Sequence, residues 1–174
     1  MKNGQIALII GVFFLLLGFG CDNREEASQI PSDYPDSLAA SAGASGVSYD
    51  RNRGADQVRY SLKTAYPAEG FVEALNSRLS RDGWTPLKAD FMNPDIPTAH
   101  VTGWTTMTDH RVQPAAQVHL WNGEWQNQAG DILIYVLTYR YPESGPANLS
   151  DMDVMGLHIP PEAAQKAQAH VDKF

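Results

Sequence analysis

The chain is expected to be an α+β protein, a two-layer domain with one helix packed on an antiparallel sheet. Three observations lead there. A pair of apolar runs flanks a polar turn between Gln117 and Tyr141. A strictly alternating stretch runs from Gln57 to Thr64. A single segment of helical period follows it, from Ala68 to Arg81. Side chains alternate between the faces of a strand, whereas a helix repeats every 3.6 residues, so the change of period marks a change of element.

Taken in order, Val58, Tyr60 and Leu62 point inward and Arg59, Ser61 and Lys63 outward, the pattern of a half-buried strand. Tyr66-Pro67 ends it, with Pro67 expected as the first helical residue. Phe71, Val72, Leu75 and Leu79 then share one helix face. Asp82-Gly83 stops the helix, and Trp84 packs back on it from just beyond the cap. A short strand covers Trp84 to Lys88, a proline-marked loop Asp90 to Pro97, and a further strand Ala99 to Thr108. In the hairpin, Val118 and Leu120 oppose His119, Trp121 and Trp125 across the first strand, and Gly130 suits the turn. Asn122-Gly123 offers an alternative turn that would put Trp121 and Trp125 at a loop tip. The second strand is apolar on both faces, with Ile132, Ile134 and Val136 on one and Leu133, Tyr135, Leu137, Tyr139 and Tyr141 on the other, which marks a central strand. A small strand over Val154 to Ile159 and a helix opened by Pro160-Pro161 close the chain. The order is β-α-β-β-β-β plus a minor strand and a C-terminal helix, with residues 150 to 174 partly covering the second face of the sheet.

The first residues form a targeting segment. Lys2 precedes an apolar run from Ile6 to Phe19, and Cys21, the only cysteine, follows. The run is short of the ~20 apolar residues a membrane span needs, but suits a secretory signal. The motif Leu17-Gly18-Phe19-Gly20-Cys21 resembles the lipobox of bacterial lipoproteins. Gly20 supplies the small residue before the cut, while Gly18 stands where that family usually has Leu. The resemblance implies a signal peptide over 1–20, cleavage before Cys21, diacylation of Cys21 (palmitate or a similar chain), and a membrane anchor facing the periplasm or cell exterior. In enteric lipoproteins an Asp after the cysteine, here Asp22, implies retention at the inner membrane. Residues 21–54, rich in Pro, Ser, Ala and Gly, are expected to be a flexible tether, in which Val47 to Tyr49 could add an edge strand, and 55–174 the single folded domain.

The folded part resembles a group of small bacterial lipoproteins without known activity. The likeness lies in Tyr66-Pro67-Ala68, Asp82-Gly83-Trp84, Gly103-Trp104, Val118-His119-x-Trp121, Trp125-x-Asn127 and Gly130-Asp131. It spans about residues 57 to 160. These are turn and core residues, so the resemblance implies a shared fold and transfers no catalytic residue.

Composition narrows the function. The net charge is −7, and removal of Lys2 with the signal leaves 12 basic and 20 acidic residues, a net −8. No Lys/Arg cluster exists to meet phosphates, so nucleic acid is not an expected partner. One cysteine permits no internal disulfide. His100, His110, His119, His158 and His170 show no i, i+4 pairing and no HExxH motif, and no cofactor or metal is expected. Gly43-Ala44-Ser45-Gly46 lacks the strand–turn–helix setting of a nucleophile elbow. An envelope hydrolase or metal-dependent enzyme would have to draw on His100 and His119 with Glu124 or Asp109, residues otherwise expected to be solvated at turns and strand ends. The aromatic residues are the more suggestive feature. Trp104, Trp121, Trp125 and Tyr139 form the candidate ligand-binding set for an envelope protein, peptide or glycan, with the core of the domain as the competing use of the same rings. A domain this small needs such rings inside, so core is the favoured use; Trp121 and Trp125 are the pair expected to be exposed if any are. The reading that results is a membrane-tethered, non-enzymatic binding or assembly module.

Overall fold

The computed structural model describes residues 30–90, 95, 97, 103–109, 115–140 and 148–171, without the side chains of 116 and 167–171. These residues form an α+β fold. The strands are β1 (Ser45–Asn52), β2 (Ala55–Ala65), β3 (Thr85–Pro86), β4 (Thr105–Asp109), β5 (Ala116–Gln126), β6 (Ile132–Arg140) and β7 (Leu149–Ile159). The helices are α1 (Glu69–Arg81) and α2 (Pro161–Val171), and a 3-10 turn spans Asp36–Leu38. One antiparallel sheet runs in the order β1-β2-β7-β6-β5, with β3 and β4 both pairing with the far edge of β5. Helix α1 therefore connects β2, near one edge, to β3 at the other.

The inner face lies under α1. Val58, Tyr60 and Leu62 of β2, Met152 and Val154 of β7, Leu133, Tyr135, Leu137 and Tyr139 of β6, and Trp121 and Trp125 of β5 form one buried cluster with Leu75 and Leu79 of the helix. Phe71 and Val72 pack at its margin. The helix ends in a Schellman arrangement around Gly83 at φ +83°. The Trp84 amide donates to the Leu79 carbonyl at 2.9 Å and that of Gly83 to Ser80 at 3.3 Å, which satisfies two carbonyls of the last turn. Its start differs from expectation: Tyr66-Pro67 is a cis peptide and Ala68 is the N-cap, so Pro67 lies outside the helix.

The central hairpin is as expected. β6 lies between β5 and β7, and the polar turn is held by its own side chain. Asn127 Oδ1 accepts from the Asp131 amide at 2.9 Å, Asn127 Nδ2 donates to Asp131 Oδ2 at 2.7 Å, and Gly130 takes φ +89°.

Three expectations are corrected. The small last strand is an 11-residue strand, β7, inserted between β2 and β6 with ten and eight register pairs respectively. Asn122-Gly123 makes no turn, because β5 is continuous through it. Gly123 instead stands opposite Tyr135, and Gly156 of β7 stands on the other side of the same tyrosine. A Cβ at Gly123 would collide with the rings of Trp121 and Trp125, and one at Gly156 would come within 2.9 Å of Val58 and 3.0 Å of Tyr135. The two glycines make room for rings rather than for a bend.

The third correction concerns the tether. Residues 30–54 belong to the fold. Leu38 is wholly buried, and β1 pairs with β2 from Ser45↔Ser61 to Asn52↔Ala55. Tyr135 Oη donates to the Ser37 carbonyl at 2.6 Å, and the Arg78 guanidinium donates to the carbonyls of Ser37 and Ala39 at 3.2 and 3.3 Å. The segment forms a strap beside α1, completing the inner layer over β1 and β2. Low hydrophobicity suggested disorder, but here main-chain carbonyls and a few side chains supply the attachment, and Leu38 and Val47 the burial.

Among the described residues, the apolar cluster of the outer face lies at one end. Ile132, Ile134 and Ile159 are buried there with Ala164 of α2, as expected for partial cover by residues 150 to 174. Among the described residues no helix is long and apolar enough to cross a membrane.

Candidate functional site

Of the four expected binding residues, Trp121, Trp125 and Tyr139 are buried, at 2%, 0% and 0% exposure. Trp121 and Trp125 lie 6.2 Å apart between centroids, and Trp125 meets Tyr135 edge-on at 6.3 Å. They are core rings and not a ligand platform; β5 is covered by α1 on the face that carries them. Trp104 alone of the set keeps part of its surface open.

Trp104 belongs to a cluster at the end of the inner face where helix cover stops. Cross-strand register puts His119 beside Tyr139 and Thr106 beside His119. Tyr66 closes over them from the end of β2. Its ring centroid lies 5.4 Å from Trp104, 4.7 Å from His119 and 5.3 Å from Tyr139. Tyr139 forms the floor, 5.4 Å from Trp104. Its hydroxyl donates to the carbonyls of Thr64 and Ala65, at 3.3 and 3.0 Å, and so fixes the backbone that carries Tyr66. Burial pushes the Tyr139 phenol up, against the opposing effect of its bond to Thr64.

Two hydroxyls share one nitrogen. Tyr66 Oη lies 3.2 Å and Thr106 Oγ1 3.1 Å from His119 Nδ1. A bare Nδ1 has one lone pair and takes one donor; an Nδ1–H takes none. In either tautomer His119 leaves at least one hydroxyl hydrogen unclaimed. The cluster thus combines two aromatic edges, an imidazole and a hydroxyl hydrogen that His119 does not take, in a half-open setting suited to holding a group that is apolar on one side and polar on the other.

Sequence reading missed Tyr66 because Tyr66-Pro67 served only as a strand terminator. The signal was present: Tyr66 continues the inward parity of Val58, Tyr60, Leu62 and Thr64.

The enzyme alternative fares differently in each part. His100 lies outside the described residues. Glu124 is not at a turn; it sits within β5 at 1% exposure, opposite Ile134 on the outer face. Asp109 is buried too, and its register with Ala116 puts it on that same outer face. His119 faces inward, so the sheet separates it from both carboxylates. A different histidine does sit between carboxylates: His158 Nε2 lies 3.6 Å from Asp131 and Nδ1 4.0 Å from Asp56, at the opposite end of the sheet. Asp56 is also bonded to Arg51. These groups join the β1–β2 edge, the end of β7 and the hairpin turn. Among the described residues no three His, Cys, Asp or Glu side chains converge as metal ligands would.

No protein-family model, curated protein or solved structure matches this chain.

Proposed function

We propose that this chain is a lipid-anchored, non-enzymatic binding or assembly module of the bacterial cell envelope, held to the membrane through Cys21 and facing the periplasm or cell exterior. The observation that carries the reading is the half-open Tyr66–Trp104–His119 cluster at the rim of an otherwise closed aromatic core. Trp and Tyr give large contact area with little ordering cost and carry a polar handle, the properties of recognition sites. Anchoring is supported by the apolar run Ile6 to Phe19 with Cys21 directly behind it. The bound component is an envelope protein, peptide or glycan.

The test is crosslinking in cells followed by purification in mild detergent, with wild type, Trp104→Ala and Cys21→Ser compared. One near-stoichiometric component should accompany the wild type, and both substitutions should lose it. Trp104→Ala should retain a wild-type circular dichroism spectrum. Undiminished recovery with folded Trp104→Ala would remove this cluster as the binding site. An unmodified Cys21 in the purified wild type would remove the anchor.

A further inference from the structure

The strap changes how far from its anchor the domain can stand. Were residues 21–54 a free tether, the folded unit would wander over a wide zone above the bilayer. The fold instead takes in the chain from Ile30. Asp33 is held by Arg51, whose guanidinium donates to its carboxylate at 3.0 Å and its carbonyl at 3.2 Å and lies 5.0 Å over the ring of Tyr34. Tyr34 in turn packs edge-on against Tyr49 of β1 at 5.5 Å. Next come the buried Leu38 and the bonds from Arg78 and Tyr135, and Ser41 meets the Tyr60 hydroxyl at 3.2 Å. Every few residues of the strap are fastened to a different element, so no long free stretch remains in it.

Only residues 22–29 then separate Cys21 from the fold. Nine Cα steps, even fully extended, reach no further than about 30 Å. The strap enters the fold at the β1 edge of the sheet. The Tyr66–Trp104–His119 cluster sits at the β4–β5 edge: four strand spacings away, about 20 Å across the sheet, and displaced along the strands as well.

We infer that the domain is held close against the membrane in a set orientation, with the β1 edge toward the bilayer and the Tyr66–Trp104–His119 cluster on the side turned away from it. The short link alone sets this orientation, with no attraction of the β1 edge for lipid required. The cluster works within roughly 60 Å of the bilayer surface, about 30 Å for the tether's reach and about 30 Å for the way across the sheet and along its strands. This rests on the proposed lipidation of Cys21.

The test uses full-length lipidated protein in phosphatidylethanolamine–phosphatidylglycerol vesicles that carry an acceptor-labelled lipid. With Cys21 acylated, Asp50→Cys on β1 and Gln117→Cys on β5 each provide one free thiol for a donor dye. Energy transfer to the bilayer should be stronger from position 50 than from position 117. Inserting about twenty Gly/Ser residues between Gln29 and Ile30, enough to double the reach or more, should abolish the difference. Equal transfer from the two labels on an acylated chain would overturn the inference and leave the anchor standing. A difference that survives the insertion would also overturn it, because the β1 edge would then adhere to lipid unaided. Mass spectrometry of the N-terminal peptide separates these results from a failure of lipidation, in which Cys21 would be unmodified and both inference and anchor would fall.

Discussion

Along β6, Leu133, Tyr135, Leu137 and Tyr139 are all buried on the inner face, from one end of the strand to the other. On the outer face burial stops after Ile134; Val136 and Thr138 are half-buried and Arg140 is exposed. β7 behaves in the same way, with Met152 and Val154 buried inward and Asp151 and Asp153 exposed outward. The strands are shared, so the difference lies in what covers them. Helix and strap close one face, while α2 reaches only the Ile132–Ile159 end of the other. The comparison teaches that the described aromatic residues follow cover and not exposure: nearly all of them are on the dry face, and Trp104 keeps part of its surface open at the rim where that cover ends.

The comparison can be broken most severely at the centre of the inner face. Trp125→Ala should cost about 3–5 kcal/mol in denaturant unfolding, because it leaves a ring-sized cavity that the sheet cannot collapse. A loss as small as that of a surface residue would contradict its burial. Gly123→Ala should cost about 1–3 kcal/mol by overpacking against Trp121 and Trp125, although alanine is ordinarily better tolerated in a strand than glycine. A neutral result would mean that the two rings can move apart. Val136→Ala, on the same strand but facing out, should cost less than either, roughly 1 kcal/mol. Comparable losses for Val136 and Trp125 would erase the distinction between the faces.

Alkali offers a gentler probe of the inner face. Burial pushes the phenols of Tyr135 and Tyr60 above their ordinary range, against the opposing pull of Arg78 on both and of the Ser41 bond on Tyr60. The folded state therefore keeps protons that the unfolded chain releases near pH 10. Stability from these groups is complete below about pH 10 and declines as pH rises beyond it. The denaturation midpoint, followed from pH 8 upward, should fall at the alkaline end. Tyr135→Phe should start lower, having lost its bonds to Ser37 and Arg78, but should decline less steeply.

Much of the fold was legible because it is local. Period alone separates β2 from α1; Gly83 and Gly130 sit where a positive φ is required; the two-faced apolar run of β6 demands a central place. What was not legible depends on distant partners. β7 reads as minor because Asp151, Asp153 and Gly156 dilute its apolar content, yet those residues are its outward positions and its ring-making gap. The strap reads as a tether because its attachments are backbone carbonyls, which composition does not display. The candidate site was half legible. Trp104 was among the named rings, but choosing it over Trp121 and Trp125 required knowing where α1 ends its cover, and adding Tyr66 required the Tyr139 hydroxyl bonds that reach past β7 to the end of β2.

The position of β7 bears on when the chain can acquire its structure. Residues 149–159 fill the gap between β2 and β6, so β2 lacks its inner neighbour until a strand that begins only at Leu149 is present. Pairings of such wide sequence separation form slowly, since the loop must close before the contact rewards it. The hairpins β1–β2 and β5–β6 can each pair locally, and β7 is the strand that joins the two halves into one sheet last.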